Sequence, residues 1–216
     1  MSYTIGVNIL DYVRDIVRSV MRGIAKLLNS LSGGKLSPNS ITITGLLAHI
    51  PIAYLIATLH NLRAAALLVI FGLFDTLDGE LARLQKRDSS AGMLLDASTD
   101  RMKEVLLYAG AAYAITSGVR PAMAFWAVIA CGASLTVSYV KAKCETAVAS
   151  SSKLSASHVN KLFQDGLMRF EVRMAVLVLG LLSNRVILAV VIIGSLSALT
   201  AIWRLVTIMR RLNVQG

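Results

Sequence analysis

The sequence predicts an all-α, polytopic membrane protein with six transmembrane helices preceded by an amphipathic helix at the cytoplasmic interface. Three observations predict it. Hydrophobic residues fill 56% of the 216 positions and mean hydropathy is +0.67, whereas soluble domains hold roughly 45–50% apolar residues. Charged residues make up only 16%, too little polar surface to wrap so much apolar sequence in water. Apolar stretches long enough to cross about 30 Å of hydrocarbon recur along the chain.

The first element spans residues 9 to 28. It places Ile9, Val13, Ile16, Val17, Val20, Ile24, Leu27 and Leu28 on one helical face. Arg14, Arg18, Arg22 and Lys26 recur every four residues on another face, the pattern of a helix lying in a membrane interface. Ser32-Gly33-Gly34-Lys35 breaks it, and Ser37-Pro38-Asn39-Ser40 has the composition of a helix start. Six spans follow at approximately 40–59, 63–84, 92–116, 121–143, 167–183 and 186–207. The fifth is the shortest. The domain organisation is therefore an interfacial helix and linker over 1–36, a membrane domain over 37–210 and a cytoplasmic tail over 211–216.

Charge orients these spans. Of the 22 basic residues, Arg63, Arg120 and Arg185 fall at the odd-to-even turns, and the other 19 lie on the opposite side or in its adjoining helix ends. Lys and Arg accumulate on the cytoplasmic side, so both termini, the loops near 86 and 150 and the active site are expected in the cytoplasm of a cell, or plasma, membrane. The serine-rich segment 149–157 reads as a cytoplasmic loop between the fourth and fifth spans. The same bias accounts for the net charge of +10, so nucleic acid is not an expected partner. Cys131 and Cys144 have no Cys or His neighbours at metal-ligand spacing, which indicates neither zinc nor a disulfide framework. The first residues lack the apolar core and small-residue cleavage site of a signal peptide.

Seven of the 12 acidic residues lie between 75 and 104, in or beside apolar spans. A carboxylate at a helix centre costs about 2.5–3.5 kcal/mol on insertion scales, so an intramembrane acidic cluster is functional by default. Asp75 and Asp78 are three apart on the second span, Asp96 and Asp100 four apart on the third, and each pair therefore shares a helical face. Four carboxylates brought together repel unless cations lie between them. Hard divalent ions with oxygen ligands resolve the conflict: Mg2+ or Mn2+, two ions being expected. Such a centre suits displacement at phosphorus.

The full spacing is Asp75-x2-Asp78-Gly79-x2-Ala82-Arg83-x8-Gly92-x3-Asp96-x3-Asp100, and it resembles the signature of the CDP-alcohol phosphotransferase (CDP-alcohol phosphatidyltransferase) family at every fixed position. The resemblance implies that Asp75, Asp78, Asp96 and Asp100 hold the metals while Asp100 also deprotonates the acceptor hydroxyl. It implies further that Gly79 and Ala82 let a cytidine nucleotide approach the helix backbone, that Arg83 neutralises a phosphate, and that Ser89 and the segment Ser37, Pro38, Asn39 and Ser40 surround the CDP group. From the residues alone, Ser37, Pro38 and Asn39 equally well start a helix, and Gly92 serves close packing. A homodimer is expected from the resemblance alone.

The acceptor is read from a second basic cluster. Lys141, Lys143, Arg169 and Arg173 can bind an acceptor phosphate, with Glu171 orienting the guanidinium groups; ordinary positive-inside anchoring explains them as well. Ser138-Tyr139-Val140-Lys141-Ala142-Lys143 resembles the corresponding segment of the phosphatidylinositol phosphate synthases, with Lys143 where an arginine is usual. Arg169-Phe170-Glu171-Val172-Arg173 approximates the paired Glu-Arg motif of that subfamily. The expected reaction is transfer of a phosphatidyl group from a CDP-alcohol such as CDP-diacylglycerol to a polyol phosphate, with release of CMP. Inositol 1-phosphate is the first acceptor and glycerol 3-phosphate its competitor. A transporter with an ion or proton path is the reading from another class. It predicts acids spread through the bilayer depth and an internal repeat, neither of which the sequence shows.

Overall fold

A computed structural model describes residues 5–150 and 168–214, all of whose regular structure is helical. The helices are α1 (Ile5–Leu31), α2 (Pro38–Ala57), α3 (Asn61–Gly72), α4 (Phe74–Gln85), α5 (Ser90–Thr116), α6 (Phe125–Ser150), α7 (Phe170–Leu182) and α8 (Val186–Val214). A 3-10 turn over Pro121–Ala124 leads into α6. Most of the serine-rich segment 149–157, from 151 onward, and the last two tail residues lie outside the described residues.

Among the described residues, three helical segments are long and apolar enough to cross a membrane: Pro38–Ala57, Pro121–Thr146 and Val186–Arg210. The other expected spans differ for identifiable reasons. The continuous span expected over 63–84 is two 12-residue helices. They meet at Leu73, whose N–H bonds to the Ile70 carbonyl at 3.3 Å in a tightened turn. α5 has the length, at 27 residues, but carries Asp96, Asp100, Arg101, Lys103 and Glu104. α7 has 13 residues, about 20 Å of helix at 1.5 Å per residue.

The chain divides into two compact units. The first takes residues up to Ile52 and Ala66–Lys103, the second Ala53–Ala65 and the residues from Glu104 onward. In the first, Met21 and Ala25 of α1 pack with Ile41, Leu77 and Leu81, flanked by Val17 and Leu28. The expected apolar face of α1 is thus two stripes: Val17 and Leu28 pack inward with Met21 and Ala25, while Ile16, Val20, Ile24 and Leu27 are exposed. The break after α1 is built on Gly33 and Gly34, at φ +58° and +74°, left-handed positions that a Cβ disfavours. The Gly34 N–H closes the helix end onto the Asn29 carbonyl at 2.8 Å.

In the second unit α6 and α7 pack on α8. Close approach depends on small residues: a Cβ on Gly110 would overlap the Ala53 carbonyl, and one on Gly180 would overlap Ala189. Large apolar side chains such as Val128, Leu199, Ile202 and Trp203 stay exposed. Hydrocarbon solvates such a surface; water does not.

Candidate active site

The aspartates are positioned by the break in the second expected span. Because α4 starts afresh at Phe74, Asp75 lies in its first turn, where the positive end of the helix dipole favours an anion. Asp78 follows one turn on. Carboxylate oxygens of Asp75, Asp78 and Asp96 lie within 4.8 Å of one another. Asp78 is buried, and the Thr42 hydroxyl donates to its Oδ2 at 2.5 Å. Asp96 Oδ1 is buried and has no hydrogen-bond partner among the described residues.

Three hard oxygen donors at this separation, one of them buried and unpaired, fit Mg2+ or Mn2+. Among the described residues, no nitrogen or sulfur donor belongs to the cluster. The fourth expected ligand, Asp100, is outside the group whose oxygens all lie within 4.8 Å of one another, but its carboxyl contacts that of Asp75. The two are bridged by Lys103, whose Nζ donates to Asp75 Oδ1 and, at 3.3 Å, to Asp100 Oδ1. Arg101 reaches Asp100 Oδ2 at 3.5 Å.

A cavity of about 400 Å3 opens onto the triad. Among the residues expected around a CDP group, Pro38, Asn39, Gly79 and Arg83 line it, whereas Ser37, Ser40, Ala82 and Ser89 do not. Ser89 instead accepts the Gly92 N–H at 3.1 Å, capping α5. Gly92 also lines the cavity; a Cβ there would come within 3.2 Å of Ser89 Oγ, so the glycine leaves room for the capping hydroxyl. Arg83 is more than half exposed and anchored by Glu80 at 2.7 Å, a buried carboxylate that also takes Arg22 of α1 at 3.2 Å.

Several site residues were not legible as such. Arg18, read as part of the basic stripe opposite the apolar face of the first helix, lines the cavity, as do Thr42 and Asp88. Lys103 had the only available signal, a cation one turn beyond Asp100 on the same helix.

The acceptor cluster lies in the second unit and is divided in its partners. Lys141 pairs with Glu145 at 3.8 Å, both side chains half exposed. Lys143 lies 5.7 Å over the Tyr139 ring. Arg169 precedes α7, its carbonyl accepting the Arg173 N–H. Arg173 is buried, with Nε and Nη2 both on Glu104 Oε1, at 3.0 and 2.6 Å, and Nη1 on the Met168 carbonyl at 2.8 Å. The carboxylate that orients Arg173 is therefore Glu104, while Glu171 is exposed. A larger cavity of about 570 Å3 in this unit, with Arg120 and Arg185 on its wall, has no carboxylate in its lining.

The phosphatidylinositol phosphate synthase of Mycobacterium marinum is 32% identical over 127 residues, 56% of this chain and 54% of that protein. The Corynebacterium glutamicum synthase is 32% identical over 129 residues, 58% of each. The chain thus matches little more than half the length of these two relatives. The archaetidylinositol phosphate synthase of Pyrococcus horikoshii is 28% identical over 205 residues, 95% of this chain and 99% of that protein. Crystal structures of the Mycobacterium tuberculosis phosphatidylinositol phosphate synthase share the fold. The one with CDP-DAG bound has a TM-score of 0.74 at 24% identity, covering 88% of this chain and 94% of that one. The one with manganese and citrate has a TM-score of 0.75 at 23% identity, covering 88% of each. The CDP-alcohol phosphatidyltransferase profile matches residues 35–203, a stretch that contains every aspartate of the site, and the chain belongs to that family.

Proposed function

We propose that the protein transfers a phosphatidyl or similar substituted phosphate group from a CDP-alcohol, CDP-diacylglycerol first, to a hydroxyl of inositol 1-phosphate. The observation that carries this reading is the Asp75–Asp78–Asp96 triad at the wall of a cavity that also holds Arg83 and Arg18. A diphosphate in that cavity would meet guanidinium groups from two helices, with Glu80 holding Arg83 in place. A divalent ion on the triad would supply positive charge to the diphosphate and to the departing CMP. The acceptor oxygen bonds to the lipid-bearing phosphorus, the phosphorus–oxygen bond to CMP breaks, and CMP leaves with that electron pair. Asp100, outside the triad, takes the hydroxyl proton.

Inositol phosphate is favoured because the synthases named above share that acceptor in their names while differing in the lipid, phosphatidyl or archaetidyl. Lys141, Lys143 and Arg169 are the acceptor-phosphate ligands in this reading; Arg173 holds the segment that bears Arg169. Six crossings are assigned to α2, the α3–α4 pair, α5, α6, α7 and α8, forming a membrane domain over 37–210. α1 lies at the cytoplasmic face with its exposed stripe in the interface, both termini are cytoplasmic, and the enzyme is a homodimer in the plasma membrane.

The test is CMP release by the purified protein with Mg2+, comparing inositol 1-phosphate, glycerol 3-phosphate, free inositol and serine. Release with inositol 1-phosphate above the other three supports the reading. Preference for glycerol 3-phosphate reassigns the acceptor, and no release with any acceptor overturns the activity.

A further inference from the structure

Among the described residues, Lys103 is the one cation in contact with the aspartates that is almost fully enclosed, with 1% of its side chain exposed. Its ammonium bridges Asp75 and Asp100. The end of its side chain packs beside Gly45 of α2, where a Cβ would lie in ordinary contact, 3.9 Å from both Lys103 Cε and Nζ. Asp75 is therefore shared, facing the triad on one side and an ammonium on the other. A protonated amine has no lone pair and cannot ligate a metal. It can only stand where a second cation would stand, and it repels a divalent ion brought close to it.

We propose that Lys103 is a positioning residue, a built-in counter-cation at the Asp75–Asp100 pair that separates the two metal-binding events of this centre. The first ion binds the Asp75, Asp78 and Asp96 triad. A second ion, at Asp75 and Asp100, binds only by displacing the ammonium, and therefore much more weakly. Until then Lys103 keeps Asp75 and Asp100 from repelling each other and holds Asp100 in register. The inference rests on the metal assignment proposed above.

The test is Mn2+ titration of the chelator-stripped full-length protein in detergent, reading free Mn2+ by its electron paramagnetic resonance signal. The wild type is expected to show two well-separated constants. Lys103→Met, nearly isosteric and uncharged, should leave the first within about threefold and tighten the second by about 10-fold or more, the scale on which groups around a metal centre act. Lys103→Gln should do the same if the methionine variant does not fold. Without metal, the variant should melt below the wild type, and Mn2+ should narrow the gap. Two equal constants in the wild type, or an unchanged or weakened second constant in the variants, overturn the role of Lys103. If the wild type binds no Mn2+, the failure lies instead in the triad assignment.

Discussion

Lys103 and Glu104 are neighbours on α5, and each is a buried charge with an opposite partner, yet their surroundings differ in kind. Glu104 has no exposure and meets Arg173 at 2.6 Å, with the guanidinium's third nitrogen taken by the Met168 carbonyl. Its second oxygen is unpaired among the described residues, but nothing reaches it from solvent. Lys103 is as buried, but the carboxylates it touches remain 16–21% exposed, and Asp75 borders the cavity. A closed pair fixes two segments together. An open, unevenly compensated cluster stores binding capacity for something else, and here three of its carboxylates lie close enough to share one ion.

The contrast can be broken at either end. The largest effect is expected from Asp100→Asn, which should lower CMP release by about 10²- to 10⁴-fold, the scale of a lost general base, while the melting temperature stays near wild type. Glu104→Ala should do the reverse. Stranding the Arg173 guanidinium should cost about 3–5 kcal/mol of stability, visible as a lowered thermal midpoint or loss of folded protein. Thr42→Val removes the hydroxyl on Asp78 Oδ2 and should weaken Mn2+ binding by about 10-fold with a small change in melting. Lys141→Ala breaks only a half-exposed pair, worth at most about 1 kcal/mol. Stability should hardly move, so a rise in KM for the acceptor there marks phosphate binding and an unchanged KM marks anchoring.

What the sequence made legible follows from how far each feature depends on spacing. The two aspartate pairs follow from helical periodicity, which permits the two faces to converge, and packing brings Asp96 to Asp75 and Asp78. The helix break at Gly33 and Gly34 was likewise local chemistry. The interruption at Leu73 was marked only by the single Gly72 among the apolar Phe71, Leu73 and Phe74, although the break is what gives Asp75 a helix first turn. The partnerships of Arg22 with Glu80, Thr42 with Asp78 and Glu104 with Arg173 span 58, 36 and 69 residues. Only packing decides such pairs. For the same reason Arg173 read as a free acceptor ligand until the structure showed its guanidinium engaged.

The Asp75–Asp78–Asp96 cluster is the proposed metal-dependent centre of a CDP-alcohol transferase. Its most direct test is CMP release from CDP-diacylglycerol with inositol 1-phosphate, measured with Mg2+, with EDTA and in Asp96→Asn. Release is expected from the wild type with Mg2+ alone, with near-complete loss in EDTA and in the variant at unchanged thermal midpoint. Full activity in Asp96→Asn, or release that persists in EDTA, would contradict this assignment.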